Sequence, residues 1–382
     1  MRTVSAKCAE IIEGGSFDTR VTLTAFYGSE ITLEDVPVSS WSFDSERGRD
    51  VPTRGTVEAV YNSDDGSSVG PRDFTDALAP FGQEVVASLV VSAGRFTESI
   101  MLGRFRIVEV PEVEDSNMRL GSTVITTASR VKLVLADGLE KVRASGFTGP
   151  TRPRSTFCWP ELAVLTGMQI FKTLTERNMP TVEYELAAGG RLDVCQRIAD
   201  ELGGTLYVRP DGSLTVLSDA PGPVVKTLTL GEDGLRLSEV QRSLSTEQVF
   251  NEVVGTFEDA DRKPIVVPAA QITEGPLSVN GPLGRRTYYE KSDFVKTLAQ
   301  ARDHVKRVLA HKSTVAAQTV PVTLRLDPRL EIGDTIRIEQ DKETVTGTIE
   351  SLTFNDDGTM VCNVKITGTV PALNLGRLRE VR

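Results

Sequence analysis

Residues 315–367 read VAAQTVPVTLRLDPRLEIGDTIRIEQDKETVTGTIESLTFNDDGTMVCNVKIT. Apolar and polar residues alternate from Val320 to Leu326, which is the period of a strand with one buried face. Asp327-Pro328 ends this strand, because proline removes a donor from the strand ladder. Three further alternating runs follow, at residues 335–338, 345–354 and 360–366. An Asp-Gly turn joins the last two runs, which is a strong hairpin signal. The stretch predicts a four-stranded antiparallel unit, most of a small barrel, with no obvious catalytic constellation.

The overall composition bounds the class of protein. With 39% hydrophobic and 25% charged residues, the chain is typical of a globular protein. Its 382 residues predict two to four domains. A net charge of -10 argues against a general affinity for nucleic-acid phosphates, and we predict no specific nucleic-acid binding. The N-terminus lacks a secretory h-region, and no apolar run reaches the roughly 20 residues of a membrane span. We therefore expect a soluble protein made in the cytoplasm, without stable membrane insertion.

Four cysteines, Cys8, Cys158, Cys195 and Cys362, are scattered along the chain without CxxC spacing. A disulfide framework or a structural zinc site needs cysteines at characteristic spacings. The pattern instead predicts buried thiols in a reducing compartment.

Residues 1–140 predict an N-terminal β-rich domain that follows a lead-in of about 20 residues. Its predicted strands are residues 21–26, 30–33, 40–44, 56–61, 84–92, 95–110 and 122–127. A short helical run is predicted at residues 130–135. The polar segments 45–53 and 72–80 are not expected to pack tightly.

Residues 141–156 are rich in Gly, Pro and Arg and predict a linker. Residues 157–220 then predict a small α+β module. Its elements are a helix at 161–178, a helix from Leu192 to Leu202, and strands at 205–208 and 213–217. The second helix ends at Gly203-Gly204, and Arg209-Pro210-Asp211-Gly212 is a favourable hairpin turn.

Residues 221–382 predict a C-terminal β-barrel domain. Strands are expected at residues 224–230, 236–243 and 250–257, followed by a polar excursion at 259–286. An amphipathic helix at residues 293–312 leads into the four-stranded unit. The predicted fold class is therefore mainly β with an α+β insertion.

The candidate chemical motifs favour structural interpretations. His304 and His311 lack matching acidic or cysteine ligands at helical spacing, so they do not predict a metal site. Residues 62–66 resemble a calcium loop but lack its final carboxylate, and residues 356–358 have the pattern of a hairpin tip. Phosphate-binding, nucleophile-elbow and zinc-protease motifs are absent from the sequence. We predict no catalytic, cofactor-binding or metal-binding residues, and no enzyme activity.

The order of these parts resembles the baseplate hub, or tail-associated tip protein, of tailed bacteriophages and related contractile injection machines. Three features carry this resemblance: VFNEVVGTF at residues 249–257, the helix at 293–312, and LDPRLEIGDTIRI at 326–338. In addition, YGSEITLEDVPVSSWSFD at 27–44 and ITTASRVKLVL at 125–135 look like the first domain of minor tail proteins from phages of actinobacterial hosts.

The resemblance implies two β-barrel-like hub domains that flank the small module. Three subunits would form a ring in which these domains alternate, adapting the hexameric tail tube to a threefold tip around the channel for DNA and the tape measure. The implied location is the virion tail tip, and the implied partners are the distal tail protein, the tape-measure protein and other tail-tip proteins. The acidic charge fits either a non-adhesive channel lining or, as we favour, a soluble assembly precursor.

Two alternative functions remain open. A distal tail protein is also a β-rich ring builder, but it would be hexameric and usually lacks the inserted module. A receptor- or glycan-binding protein would use loops such as residues 259–286, which precede Tyr288 and Tyr289. Because the sequence ends shortly after the last predicted strand, we expect no appended enzymatic or glycan-binding domain.

Overall fold

The computed structural model describes residues 1–61, 68–179, 182–184, 190–229, 249–259, 261–292, 294–313, 319–339 and 343–371. The protein is mainly β. Its helices are α1 (Ala6–Gly14), α2 (Leu139–Arg143), α3 (Cys158–Thr166), α4 (Gly190–Leu202) and α5 (Leu298–Lys312). Its strands are β1 (Asp18–Tyr27), β2 (Glu30–Glu46), β3 (Thr53–Tyr61), β4 (Gln83–Ala93), β5 (Phe96–Leu120), β6 (Thr123–Ala136), β7 (Gly204–Val208), β8 (Leu214–Ser218), β9 (Val224–Leu228), β10 (Glu252–Glu258), β11 (Pro264–Ile265), β12 (Ala270–Gln271), β13 (Thr287–Lys291), β14 (Thr319–Arg325), β15 (Thr335–Glu339), β16 (Glu343–Asn355) and β17 (Thr359–Pro371).

The six N-terminal strands pair in a closed cycle. The order is β1-β4-β5-β6-β3-β2, and β2 returns to pair with β1. Alternate residues of β1 and β4 are buried inside the cycle, as the period of a strand requires. The rings of Phe43 and Phe105 stack there, with centroids 5.3 Å apart. Gly55 faces Phe43, and a Cβ at that position would lie 2.6 Å from the ring, so the site needs glycine.

The stretch at residues 315–367 forms the four strands that its alternation predicts. They pair antiparallel in the order β14-β17-β16-β15, and β9 joins the far edge parallel to β15. Buried residues alternate along β14, from Val320 to Leu324. The prediction for these four strands is confirmed.

Strand β16 also joins the C-terminal sheet to the N-terminal cycle. Its end pairs antiparallel with β2, and Phe354 lies opposite Phe43. One continuous hydrophobic core therefore contains buried side chains from both ends of the chain, such as Leu23 and Val364. The two β regions share a sheet and a core, and the sequence boundaries at residues 140 and 221 stay predictions.

The middle module has a separate core around Trp159, which is fully buried. Helix α4 and the β7–β8 hairpin lie where the sequence predicts them. The predicted helix at 161–178 is wrong beyond Thr166, because Gly167 takes a left-handed conformation with φ of 67°. The chain then runs beside β8, where Phe171 donates its backbone N–H to the carbonyl of Leu214 at 2.9 Å.

Several N-terminal predictions also need correction. The predicted helix at 130–135 is part of strand β6, because its alternate side chains enter the core against β3. The lead-in contains helix α1, whose Cys8 and Ile12 are fully buried. The polar segments expected to pack loosely bury Val51 and Leu78 completely.

The region before the C-terminal sheet has its own small core. Strand β10 pairs in parallel with β13, and α5 packs Val305 beside Phe257. Helix α5 begins at Leu298, five residues later than predicted, because Thr297 and Gln300 form a capping box. The strand predicted at 236–243 lies outside the described residues.

Candidate assembly interface

Among the residues considered and rejected as metal ligands, His304 has structural partners. The Nε2 atom of His304 lies 3.0 Å from a carboxylate oxygen of Glu290, and its ring packs edge-on against Phe257. The side chain of His311 and residues 62–66 lie outside what the structure describes. Among the described residues, no group of three or more His, Cys, Asp or Glu side chains is arranged to hold a metal ion.

The acidic hairpin tip at residues 356–358 has a structural role, and the two tyrosines at 288 and 289 differ in exposure. Asp357 accepts hydrogen bonds from the N–H and hydroxyl of Thr359, which makes it a turn residue, as the sequence predicts. Tyr288 packs edge-on against Phe250, with ring centroids 5.2 Å apart. Tyr289 is 76% exposed, whereas Tyr288 is partly buried, so Tyr289 is the more exposed of the two rings.

All four cysteines are buried and free. Burial raises the pKa of Cys158 and of Cys195 to about 12. Burial also raises the pKa of Cys8 and of Cys362. A reactive cysteine needs a lowered pKa and exposure, so these four side chains have the environment of core residues.

The β5–β6 hairpin extends beyond the strands that flank it. Strand β6 pairs with β3 only as far as Ser129, and β5 pairs with β4 only as far as Arg106. Residues 115–128 therefore form a two-stranded ribbon, here called the arm, with its tip at Gly121. The β5 side of the arm, residues 115–120, gives it a length of about 20 Å.

The arm has little packing to hold it in place. Met118 is 48% exposed and Val124 is 56% exposed. Met118 lies opposite Ile125, and Thr126 donates a hydrogen bond to Asn117 at 3.0 Å. An isolated two-stranded ribbon is only marginally stable in water, and among the described residues no further strand pairs with its outer edges. The arm is therefore suited to contact another chain.

An exposed aromatic patch lies on the loop before β4. Phe74 and Phe81 are 66% and 57% exposed, and their rings meet edge-to-face with centroids 4.6 Å apart. Gln83, which is fully buried, donates to the carbonyls of Phe74 and Asp76 and so fixes the loop. The two phenylalanine rings therefore form an exposed apolar surface on a loop that hydrogen bonds hold in place.

The loop between β14 and β15 contains a buried ionic cluster. Asp327 accepts hydrogen bonds from Nε and Nη2 of Arg329, each at 2.9 Å, and pairs with the ammonium of Lys226. Arg329 also donates to Glu13 of α1 at 3.0 Å. Arg2 donates to the carbonyl of Pro328 at 2.7 Å. The cluster therefore ties the N-terminal segment and β9 to the C-terminal sheet.

Burial and ion pairing shift the pKa values of Asp327 and Lys226 in this cluster. Burial raises the pKa of Asp327, but the hydrogen bonds from Arg329 and the charge of Lys226 outweigh this effect and leave the pKa below its ordinary value. Burial lowers the pKa of Lys226 despite its pairing with Asp327. Both oxygens of Asp327 are occupied by these donors, so the Asp-Pro turn has the contacts of a structural support.

Comparison with known proteins identifies the fold. The described chain has the fold of a tail protein from Neisseria meningitidis MC58, with a TM-score of 0.59 and 12% identity, covering 91% of this chain and 96% of that one. It also matches the 43 kDa tail protein of prophage MuSo2 from Shewanella oneidensis, with a TM-score of 0.54 and 13% identity, covering 91% of this chain and 98% of that one.

No protein-family model and no curated protein sequence matches the chain. The two structural matches therefore establish the class, a phage-tail-protein fold, at an identity too low to transfer a specific role. They confirm the resemblance to phage tail proteins at the level of fold. The link to phages of actinobacterial hosts stays a prediction.

The sequence reasoning missed the extension of the β5–β6 hairpin that forms the arm. The strand prediction stopped at Val110, although β5 continues to Leu120. A polar strand segment with little alternation carries no core signal, but the Gly121-Ser122 turn could have revealed the hairpin.

Within the described chain, no helix is long and apolar enough to cross a membrane.

Proposed function

We propose that this protein is a structural baseplate hub of a phage tail tip. Three copies form a ring that adapts the tail tube to the tip and surrounds the channel for DNA and the tape-measure protein. Its neighbours are the distal tail protein, the tape-measure protein and other tail-tip proteins, in the tail tip of the virion. The role is structural and involves no catalysis.

The fold likeness over nine-tenths of the chain supports a tail-associated role. In this proposal, the closed cycle of β1–β6 and the five-stranded C-terminal sheet would serve as the two barrel-like hub domains. Two β regions that share one core would present a fixed pair of surfaces to neighbouring subunits. Repeated head-to-tail contacts between such surfaces close into a ring when the rotation per subunit divides a full turn.

The observation that carries the ring proposal is the arm. Its exposed apolar side chains, and its strand edges that pair with no other described strand, match the requirements of strand addition by a neighbouring chain. The arm is short of internal packing, so contact with a second subunit would supply the burial it lacks. We therefore assign the arm to the contact between ring subunits.

The test is the mass of the purified full-length chain, measured by light scattering over a range of concentrations. A trimer supports the hub, a hexamer favours a distal tail protein instead, and a monomer at the highest concentration overturns the ring. The double variant Met118→Asp, Ile125→Asp places two charges on one face of the arm. It is expected to reduce assembly at least about tenfold, because buried unpaired charges strongly oppose association.

A matched variant controls for the added charge. Arg95, in the exposed turn between β4 and β5, is changed to Asp in a second protein. Assembly of this control is expected to match that of the unmodified chain. Equal loss of assembly in both proteins would assign the effect to net charge and remove the arm from the interface.

A further inference from the structure

The middle module contains a pocket that the ring proposal does not use. The pocket has a volume of about 160 Å³ and lies beside α3 and α4. Three arginines line it, Arg152, Arg154 and Arg191. The protein as a whole carries a net charge of -10, so a group of three cations around one small pocket is a local reversal of the general charge. Such a reversal indicates a site for an anion.

Arg191 is held in place but has weak hydrogen-bond partners. Its two terminal nitrogens lie 3.4 Å from the carbonyl oxygens of Leu165 and Gly146, which is near the outer limit of a hydrogen bond. Its Nε atom is buried and has no hydrogen-bond partner in the part of the chain that the structure describes. The guanidinium lies over the ring of Phe147, 5.4 Å from its centroid.

This geometry has an energetic consequence. A buried donor without an acceptor is unfavourable, and an arginine guanidinium is most strongly satisfied by a carboxylate or phosphate that accepts two parallel N–H bonds. The cation–π contact orients the guanidinium without using any of its donors. Arg191 is therefore preorganised for an oxyanion that enters the pocket.

The other charged groups of the pocket are consistent with this assignment. Arg152 and Arg154 have exposed side chains that form no ion pair with any described residue. Glu161 is the carboxylate in the pocket lining. One of its oxygens accepts the backbone N–H groups of Arg154 and Ser155, at 2.9 and 2.8 Å, and the other accepts the hydroxyl of Tyr184 at 2.7 Å.

Glu161 therefore organises the wall of the pocket and does not neutralise the arginines directly. Three cations against one carboxylate leave the pocket positively charged. The stacked rings of Phe147 and Tyr184, with centroids 5.0 Å apart, stiffen one side. Val164 adds apolar surface to the lining.

We propose that this pocket binds a small oxyanion-bearing group, a carboxylate or a phosphate, with Arg191 as the central ligand. Arg152 and Arg154 supply additional positive charge at the mouth. The volume admits an end group rather than an extended chain, and the apolar wall accommodates the carbon atoms next to the oxyanion. The source is either a free small anion or the acidic end group of a larger glycan.

The test is titration calorimetry on the full-length chain with D-glucuronate and with glycerol phosphate, using glucose and glycerol as uncharged counterparts. We expect a Kd of about 1 mM for the anions and no binding of the neutral compounds. Arg191→Gln is expected to weaken binding by at least about tenfold, because it removes the bidentate charged donor. Comparison of the free anions with an acidic oligosaccharide distinguishes the two sources.

Two further variants keep the test decisive. Arg152→Gln combined with Arg154→Gln changes only exposed side chains, so loss of affinity in that protein is not due to misfolding. Arg95→Gln makes the same change of charge outside the pocket. The proposal is overturned if neither anion binds at about 10 mM, or if the pocket variants bind as well as the Arg95 variant.

Self-association is measured in the same samples. If the anions do not bind while Arg191→Gln reduces self-association, the pocket is a seat for an acidic segment of a second copy, and the small-oxyanion proposal is wrong. Binding of the anions to a chain that remains monomeric would support the pocket and contradict the ring, so the two proposals fail separately.

Discussion

The two long hairpins of this protein, β5–β6 and β16–β17, have similar numbers of residue pairs, 12 and 11, and very different surroundings. Strand β16 has paired neighbours on both sides, β17 and either β15 or β2, and β17 also pairs with β14. The end of β5–β6 has no neighbouring strand among the described residues, and its side chains are largely exposed. Backbone pairing alone therefore does not distinguish a structural hairpin from a contact arm. Burial of the side chains does.

This difference follows from what stabilises each hairpin. Val364 and Cys362 of β17 are fully buried, and the neighbouring ionic cluster at Asp327 anchors the loop beside them. Met118 and Val124 of the arm bury little surface within one subunit. The C-terminal hairpin is fixed by the chain's own core, whereas the arm has its stabilising surface available for a partner.

The largest effect is expected at the anchor of the C-terminal hairpin. Asp327→Ala leaves Lys226 and Arg329 buried without their shared carboxylate, which is expected to cost about 3–5 kcal/mol of unfolding free energy. Urea denaturation measures the loss. Asp261→Ala, at an exposed carboxylate, is the control and is expected to change stability by less than about 0.5 kcal/mol. Equal effects at the two sites would contradict the anchoring role.

A matched valine substitution compares the two hairpins directly. Val364→Ala removes buried methyl groups and is expected to cost about 2 kcal/mol, whereas Val124→Ala is expected to cost about 0.5 kcal/mol or less. Denaturant unfolding of both variants, at a concentration where the chain is monomeric, measures the difference. A loss at Val124 as large as that at Val364 would show that the arm is packed within the monomer.

The base of the β5–β6 hairpin has a pH-sensitive anchor. Asp137, just after β6, accepts the N–H groups of Thr53 and Leu139 at 2.7 and 2.9 Å. Burial raises its pKa to about 7, although these hydrogen bonds favour the charged form. The folded protein therefore binds a proton that the unfolded chain releases near pH 4, and stability falls as pH rises from about 4 to about 7.

Asp137 lowers the free energy of unfolding by at most about 1.4 kcal/mol for each pH unit in that window. Above the pKa of the folded state, its contribution to the free energy of unfolding no longer changes with pH. Asp137→Asn is expected to remove this slope. The pKa of Asp200 is also raised by burial, to about 6, and that contribution is the same in both proteins. Denaturation curves from pH 4.5 to 8 test the difference, and an unchanged slope in the variant would contradict the assignment.

The last prediction involves no change in stability and tests the arm most directly. It concerns the rate of amide hydrogen exchange in the two hairpins. Amides of residues 116–125 are expected to exchange rapidly in the monomer, since their hairpin lacks supporting contacts, while those of β17 exchange only on global unfolding. Assembly is expected to slow exchange in the arm and to leave β17 unchanged. Equal protection of arm and β17 amides in the monomer would remove the distinction between the hairpins.

The success of the sequence predictions depended on how local each signal was. The strands at residues 315–367 alternate strongly and are separated by Asp-Pro and Asp-Gly turns, so their positions were predictable. The end of helix α3 was not predictable in this way. Met168, Phe171 and Leu174 keep a helical spacing, which extended the predicted helix, although the chain there pairs with β8. At residues 130–135, alternation over six residues was mistaken for a helix, since short apolar runs fit both periods.

The candidate sites show the same division. The structural nature of Asp357 was predictable, because an Asp-Asp-Gly tip makes its hydrogen bonds within a few residues. The partners of Asp327 were not, since Lys226 lies 101 positions away and Glu13 lies 316 positions from Arg329. The arginine pocket also combines residues from separate segments, and no spacing in the sequence indicates that they meet.

The sequence by itself determined that the protein is mainly β, that its cysteines are buried, and where the four C-terminal strands lie along the chain. These features depend on side-chain period and turn chemistry, which act over a few residues. Only the tertiary structure decided that β2 and β16 join the two ends of the chain into one core, and that the arm projects beyond it. Strand pairing between distant residues depends on complementary burial across the whole fold, which no local window contains.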